Sequence, residues 1–404
     1  MRSLYWLAHG APTLSPTARL KRVVRLARET RNTTRKYARD AAALGGRLPL
    51  IQFIEALRVA VTYDLVPDDY YRYALYLVEN RIQAPYYFPS RVHRHFRHRL
   101  LSHLPASMND IEDKRLLPEH CGRHGIAVVP TLAEFANGHL VSQSGDRTVL
   151  PRQDLFSKQA LGHAGRGAML WIYTGSESWQ ADSEAALSEG DLFRSLRESS
   201  RTAPLILQPR IRNHPAVEPL SSGALCTARI ITCRRYDHAP EIVESIFRMP
   251  VGHAFVDNYT QGGLACRVDA DGVLGPAVSK KLPAAMRRIE HHPISGVRIV
   301  GMRLPFWSEA KQMVLAAHKL YPEVPSVGWD VAIATEGVIL IEANSGWGVR
   351  LTQHAAGRPL GRTPLTACYL SWIAQVADRD HENPEAELRT GDRQNPPNPL
   401  AGKA

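Results

Sequence analysis

The pattern of apolar and polar positions divides the chain into a helical beginning and a strand-rich remainder. Over residues 1–110 apolar residues recur at helical spacing. Leu20, Val23, Val24 and Leu26 are spaced along a highly charged stretch, residues 16–43. Positions 51, 53, 54, 57, 59 and 61 give residues 51–63 one apolar face. Asp68 or Asp69 is placed to cap a further helix over residues 70–80. From about residue 111 the pattern mixes helix and strand. A helix is expected over 111–124, ending near Gly125, and a short strand over 126–130. A strand ending near Lys158 and a strand over 168–173 flank a glycine-rich loop. An amphipathic helix follows over 183–199, then a continuously apolar strand over 204–211. Residues 212–376 read as strands at 226–234, 241–248, 263–268, 273–278 and 297–304, with one clear helix at 308–321. The fold class is α+β, with boundaries at 1–110, 111–204 and 205–376. The polar, Pro- and Gly-rich residues 377–404 are expected to be a disordered tail.

The most informative stretch is 328–344. Two apolar runs flank Thr335-Glu336-Gly337, a turn signal, and so predict a β-hairpin. Asp330 stands near the start of the first strand; Glu342 and Asn344, two residues apart, share a face at the end of the second. With a three-residue loop, Ala334 pairs with Val338 and Asp330 falls opposite Glu342, at a Cβ separation of about 4.5–5.5 Å. Carboxylates that close repel unless a positive group lies between them, and such hard oxygen donors suit Mg²⁺ bound to phosphates. A two-residue loop shifts the register and turns Asp330 to the other face, leaving an edge hairpin with solvated acids. The metal reading therefore requires an odd number of loop residues.

Length and charge narrow the field without deciding it. A chain of 404 residues implies two or three domains or lobes. A hydrophobic content of 44% and a charged content of 22% are those of an ordinary globular protein. Fifty Lys and Arg against 39 Asp and Glu give a formal +11, which favours anionic partners. The five cysteines are scattered with no CxxC pair, which argues against a disulfide framework or zinc knuckle and for a reducing, cytoplasmic setting. The amino terminus lacks an apolar run long enough for a secretion signal, and no membrane span is expected. Residues 91–99 form a stripe of Arg and His that reads first as a solvated helix face and second as a grip for a phosphate, a polysaccharide or a membrane surface.

Lys158 precedes Gly162-His163-Ala164-Gly165-Arg166-Gly167, between two strands. Glycines bring backbone N–H groups close to oxyanions, and the lysine adds a point charge. Neither GxxxxGK[ST] nor GxGxxG occurs there, so this is neither a P-loop nor a dinucleotide fingerprint. Arg229 alternates with apolar neighbours on its strand and needs an anionic partner.

The order of these features resembles the ATP-grasp superfamily, and most of all its sugar-transfer-associated family. The resemblance rests on Asp113-Lys114, Leu155-Phe156-Ser157-Lys158, residues 207–215, the strand at 227–232, Asp257-Asn258, residues 292–296, Gly328-Trp329-Asp330 and Leu340-Ile341-Glu342-Ala343-Asn344, and spans about residues 65–365. It implies an ATP-grasp fold, two α+β lobes clasping ATP, with a helical amino-terminal region. It implies that Lys158 and Lys114 face the nucleotide, that Gly162, Gly165 and Gly167 cover its phosphates, and that Gln208, Pro209 and Arg210 present backbone groups to adenine. Asp330, Glu342 and Asn344 would hold two Mg²⁺ ions, with Mn²⁺ as a substitute. Arg229 and Lys158 would be catalytic, Arg229 facing the γ-phosphate or an acyl phosphate. Lys280 or Lys281 would add a further phosphate contact, and Asp257 and Asn258 fall in a motif without a clear role. Ser157 stands where valine is common, and the glycine loop carries His and Ala where the family is plainer.

The implied activity is a carboxylate–amine ligase acting on small-molecule or glycan-linked substrates, in glycan, polysaccharide or natural-product biosynthesis. A phosphotransferase acting on a sugar or glycan would use the same site. A non-catalytic binder of nucleic acid or anionic glycan would need only the charge; with 7% aromatic residues and no stacking platform, nucleic acid is not an expected partner.

Overall fold

A computed structural model describes residues 15–102, 111, 113–143, 150–161, 167–181, 185–221, 223–251 and 263–382. The amino-terminal region is helical: α1 (Pro16–Ala43), α2 (Pro49–Tyr63), α3 (Pro67–Arg72), α4 (Val78–Arg81) and α5 (Ser90–Ser102). Ser15 caps α1 by accepting from the Ala18 amide, and Pro16 and Pro49 each open a helix where an N–H is dispensable. α1 and α2 run antiparallel, joined by the Arg22–Asp64 ion pair at 2.6 Å and by Gln52, which donates to the Ala38 carbonyl. The helix expected over 70–80 is interrupted. Ala74 takes a left-handed φ of 51°, and the resulting turn lets Tyr70, Tyr71, Tyr73 and Tyr76 all enter the interior, which a single helical face could not do.

Two antiparallel sheets follow α6 (Leu116–Arg123). The first orders β2 (His139–Gln143), β1 (Ala133–Ala136), β7 (Leu205–Pro209), β3 (Leu155–Gln159), β4 (Met169–Gly175), β5 (Ser178–Ala181) and β6 (Leu187–Ser188). Helix α7 (Glu189–Ser199), capped by Ser188, covers part of it; it begins six residues later than the periodicity predicts. The second orders β11 (Leu274–Ser279), β10 (Leu264–Val268), β9 (Glu241–Met249), β8 (Thr227–Cys233), β12 (Ser326–Ala334) and β13 (Gly337–Asn344). One face of this sheet packs on α8 (Trp307–Lys319) through Ile230, Trp329 and Ala343. The other meets α9 (Val349–Ala356) and α10 (Leu365–Glu382) through Ile231, Ile246 and Trp347. Helix α10 continues six residues past the expected boundary at 376, and the remainder of the expected tail lies outside the described residues.

Two expected strands are replaced. Residues 126–130 make a single parallel bridge, Val128 to Leu340, with the Leu340 amide donating to Ala127. Residues 297–304 bury Ile299 and Leu304, but positive φ at Gly296 and Gly301 breaks any extended run. The five cysteines are buried thiols. No helix among the described residues is long and apolar enough to cross a membrane.

Candidate active site

The site is built across the end of the second sheet. The hairpin forms, but its loop is not odd. Ala334 pairs with Gly337, so Thr335 and Glu336 alone make the turn. Continued regularly, that register would set Ile341 opposite Asp330 and turn Glu342 away. A β-bulge intervenes: Val331 pairs with Leu340, yet Asp330 pairs with Glu342, and Ile341 is the extra residue. The shared face therefore exists for a reason other than the one the turn predicted.

Because Asp330 also pairs with Arg229 on β8, the residues Arg229, Asp330 and Glu342 form a row across three strands. Arg229 donates from Nε to Asp330 Oδ1 and from Nη2 to Oδ2, both at 2.7 Å. Arg248 on β9, which the sequence reading overlooks, brings its Nη2 within 2.9 Å of the same Oδ2 and is steadied by Thr227 Oγ1. Arg248 alternates with buried neighbours on its strand just as Arg229 does, so the signal was present. Asp330 is 1% exposed. Burial alone would raise its carboxyl, but the two guanidiniums outweigh burial and hold it well below the usual carboxylate range.

Asn344 reaches both acids, with Nδ2 3.4 Å from Asp330 Oδ2 and 3.3 Å from Glu342 Oε1. Two carboxylates and an amide thus meet at one end of the hairpin, the amide turning its Nδ2 toward both acids. The set fits a Mg²⁺ site in its chemistry: the acids are only two, so no cluster of three His, Cys, Asp or Glu ligands occurs among the described residues, and the amide completes the set. Glu342 is the more accessible of the two acids, its side chain 30% exposed.

Two lysines approach from the other side. Lys114, just before α6, lies 4.0 Å from Glu342 Oε2 and lines a recess with Asp113, Glu342 and Asn344. Its amide donates to Ala160, which ties it to the end of β3. Lys158 on β3 belongs to the first sheet. Burial pulls its ammonium down to about 8, with Lys114 adding to the shift and Glu342 and Asp330 opposing it. A third acid, Asp113 of the recess, is taken by Arg115, which leaves four cations, Arg229, Arg248, Lys114 and Lys158, around the two anions Asp330 and Glu342.

The remaining predicted residues are placed less centrally. Gln208 is buried and donates to the Val129 carbonyl. β7 is paired by β1 only as far as Leu207, so beyond it that edge of Gln208 and Pro209 has no ladder partner among the described residues. The Arg210 amide donates to the Asp154 carbonyl, and its guanidinium pairs with the Asp154 carboxylate. Gly167 has a φ of +66°, and a Cβ there would press on Gln159. Gly162, Gly165, Asp257 and Asn258 lie outside the described residues. Lys280 follows β11, the opposite edge of the sheet from β13, and its carbonyl accepts from Arg72.

The loop leaving β13 is held from two directions. Trp347 packs on Gly328 and donates to Ser326 Oγ. Arg97 of α5 donates to Ser345 Oγ at 2.8 Å and lies against Gly346. The basic stripe is thereby divided: Arg94 and His95 are exposed, His93 is buried against Tyr369 and Trp347, and Arg97 braces the site.

A profile of the Sugar-transfer associated ATP-grasp family matches residues 96–366. No curated protein matches the sequence. Among solved structures, the ATP-grasp ligase PsnB complexed with minimal precursor is similar over 76% of this chain and 74% of its own, at 13% identity and a TM-score of 0.35. The D-alanine–D-alanine ligase from Bacillus anthracis complexed with ATP is similar over 68% of this chain and 69% of its own, at 12% identity and a TM-score of 0.37. An L-amino acid ligase from Bacillus licheniformis is similar over 66% and 50% respectively, at 11% identity and a TM-score of 0.35.

Proposed function

The chain belongs to the sugar-transfer-associated ATP-grasp family, and from that premise we propose that it is an ATP- and Mg²⁺-dependent ligase that activates a carboxylate as an acyl phosphate and joins it to an amine. The observation that carries this reading is the charge imbalance at the site. Four cations converge on two acids in a partly buried setting, and a polyphosphate is the ligand that such an excess of positive charge suits.

Each residue then has a task. Lys158 and Lys114 place positive charge beside the phosphates from the first-sheet side. Glu342, Asn344 and Asp330 would hold Mg²⁺, which when bound neutralises phosphate charge and aligns the transferring group. Arg229 and Arg248 are fixed by Asp330 before any ligand arrives, so their guanidiniums offer pre-oriented positive charge to a phosphoryl group in flight. The open edge of β7 at Gln208 and Pro209 supports a place for adenine. The glycine-rich segment after Lys158 would exclude water from the acyl phosphate. No protein nucleophile enters the scheme, since the acceptor amine itself attacks the activated carboxylate.

The test is a thermal-shift and calorimetric titration with Mg·ATP, repeated on Lys158→Ala and Glu342→Ala. The reading requires a shift in the wild type and its loss in both variants. With candidate acceptors, a ligase releases free phosphate and ADP together, whereas a phosphotransferase leaves phosphate on its product.

A further inference from the structure

The α1–α2 hairpin carries a charge that the site does not use. Helix α1 alone has nine Lys or Arg and two acids, Glu29 and Asp40, a net +7 within the chain's +11. Only two of these nine cations pair with an acid among the described residues: Arg22 with Asp64, and Arg25 with Glu29 at 3.8 Å. Nothing on α1 before Leu26 is fully buried, and only Ala18 and Arg22 are partly covered, so most of this end of the helix faces outward.

Aliphatic side chains stand bare among these charges. Leu20 is 65% exposed and Val24 60%, and they continue into Arg28, Arg31 and Arg35 at intervals of four, four, three and four residues, a single helical stripe. At the other end of the hairpin Leu48 and Leu50 are each 71% exposed and Ile54 57%, beside the exposed Arg47. Scattered exposed leucines are ordinary, but here Leu20 and Val24 lie on one stripe with Arg28, Arg31 and Arg35, which pair with no acid among the described residues.

We propose that the α1–α2 hairpin is a docking surface for a membrane carrying anionic lipid headgroups. The charge calls for an anionic partner, and the aliphatic side chains decide which one. A nucleic acid or an acidic glycan would neutralise the arginines and leave Leu20, Val24, Leu50 and Ile54 in water. A lipid surface takes both, since the cations reach headgroup phosphates while the aliphatic groups enter the acyl boundary. The surface is separate from the nucleotide site and its docking does not depend on ATP.

The experiment is co-sedimentation of the full chain with vesicles of phosphatidylcholine alone and with added phosphatidylglycerol. Binding is expected only to the anionic vesicles and should weaken with salt. Each basic residue at such a surface changes partitioning about fivefold, so the triple variant Arg28→Glu, Arg31→Glu, Arg35→Glu should bind at least about a hundredfold less. The pair Leu50→Ser, Ile54→Ser should lose about tenfold or more. Both variants change exposed positions and should keep the wild-type melting temperature and Mg·ATP response, which separates loss of docking from loss of fold. The proposal is overturned by equal binding to neutral vesicles, by no binding to anionic ones, by variants that bind like wild type, or by a dimer that Leu50→Ser dissociates.

Discussion

Asp330 and Arg229 face each other across β12 and β8, joined by two hydrogen bonds of 2.7 Å, and Arg248 leans on the same carboxylate. Asp330 is thus a structural anion before it is anything else. Asp330→Ala leaves two nearly buried guanidiniums without their partner and should cost about 3–5 kcal/mol of folding stability. Glu342→Ala, at a more exposed position, should cost about 1 kcal/mol or less while removing the binding of Mg·ATP. Urea denaturation measures the first and calorimetry the second. Equal stability of the two variants would refute the shared-anion arrangement.

Gly328 has no room for a side chain. A Cβ there would stand 2.3 Å from Trp347 Cβ. Gly328→Ala must displace Trp347, its hydrogen bond to Ser326 and the loop leaving Asn344. A loss of about 2–4 kcal/mol is expected, together with weakened metal-dependent nucleotide binding. A variant of wild-type stability would show that Trp347 can move freely.

Two buried histidines predict acid sensitivity. Burial brings His93 down from 6.5 to about 3, with Arg97 adding to the effect. Burial likewise brings His318 to about 4, against the opposing pull of the Val324 carbonyl. Above pH 6.5 both are neutral folded or unfolded and contribute no pH dependence. Below it the unfolded chain takes up protons that the folded chain refuses, so stability falls as pH drops from 6.5 towards 4. By pH 5 the loss should be about 2 kcal/mol for each histidine. Denaturation at pH 7 and pH 5 reads the difference, and His318→Gln should roughly halve it.

Arg97 tests whether the amino-terminal region serves the site. It is the residue of α5 that holds Ser345, one position after Asn344. Arg97→Ala should raise the Mg²⁺ concentration needed for half-maximal ATP binding by about three- to tenfold, from the loss of a hydrogen bond to a charged donor. The melting temperature should change little. An unchanged Mg²⁺ requirement would confine α5 to packing.

What the sequence discloses and what it hides differ by physical scale. The hairpin itself and the shared face of Glu342 and Asn344 are legible because turn signals and strand alternation are local; that Asp330 joins that face is not, because it depends on the bulge at Ile341 and not on the turn. The interrupted helix at Ala74 is not, since the burial of four tyrosines there is a tertiary demand. The strands β1 and β2 escape notice because Ala133-Glu134-Phe135-Ala136 is too short to alternate convincingly. The segment 297–304 misleads in the opposite sense: its apolar residues are buried without pairing in a ladder. Arg248 carries the same alternation as Arg229, but its partner lies two strands away, and it is that partner which no spacing along the chain reports.

The bulge at Ile341 bears on how relatives of this chain are to be recognised. Between Asp330 and Glu342 the count of residues is not a ruler for orientation, because a turn of two with a bulge and a turn of three without one deliver the same two carboxylates to the same face. A homologue that had gained a residue in the turn and lost Ile341 would keep its chemistry while failing a fixed-interval pattern. Such a chain is better identified by what stands opposite the aspartate on the neighbouring strand, an arginine, than by the distance to the next acid.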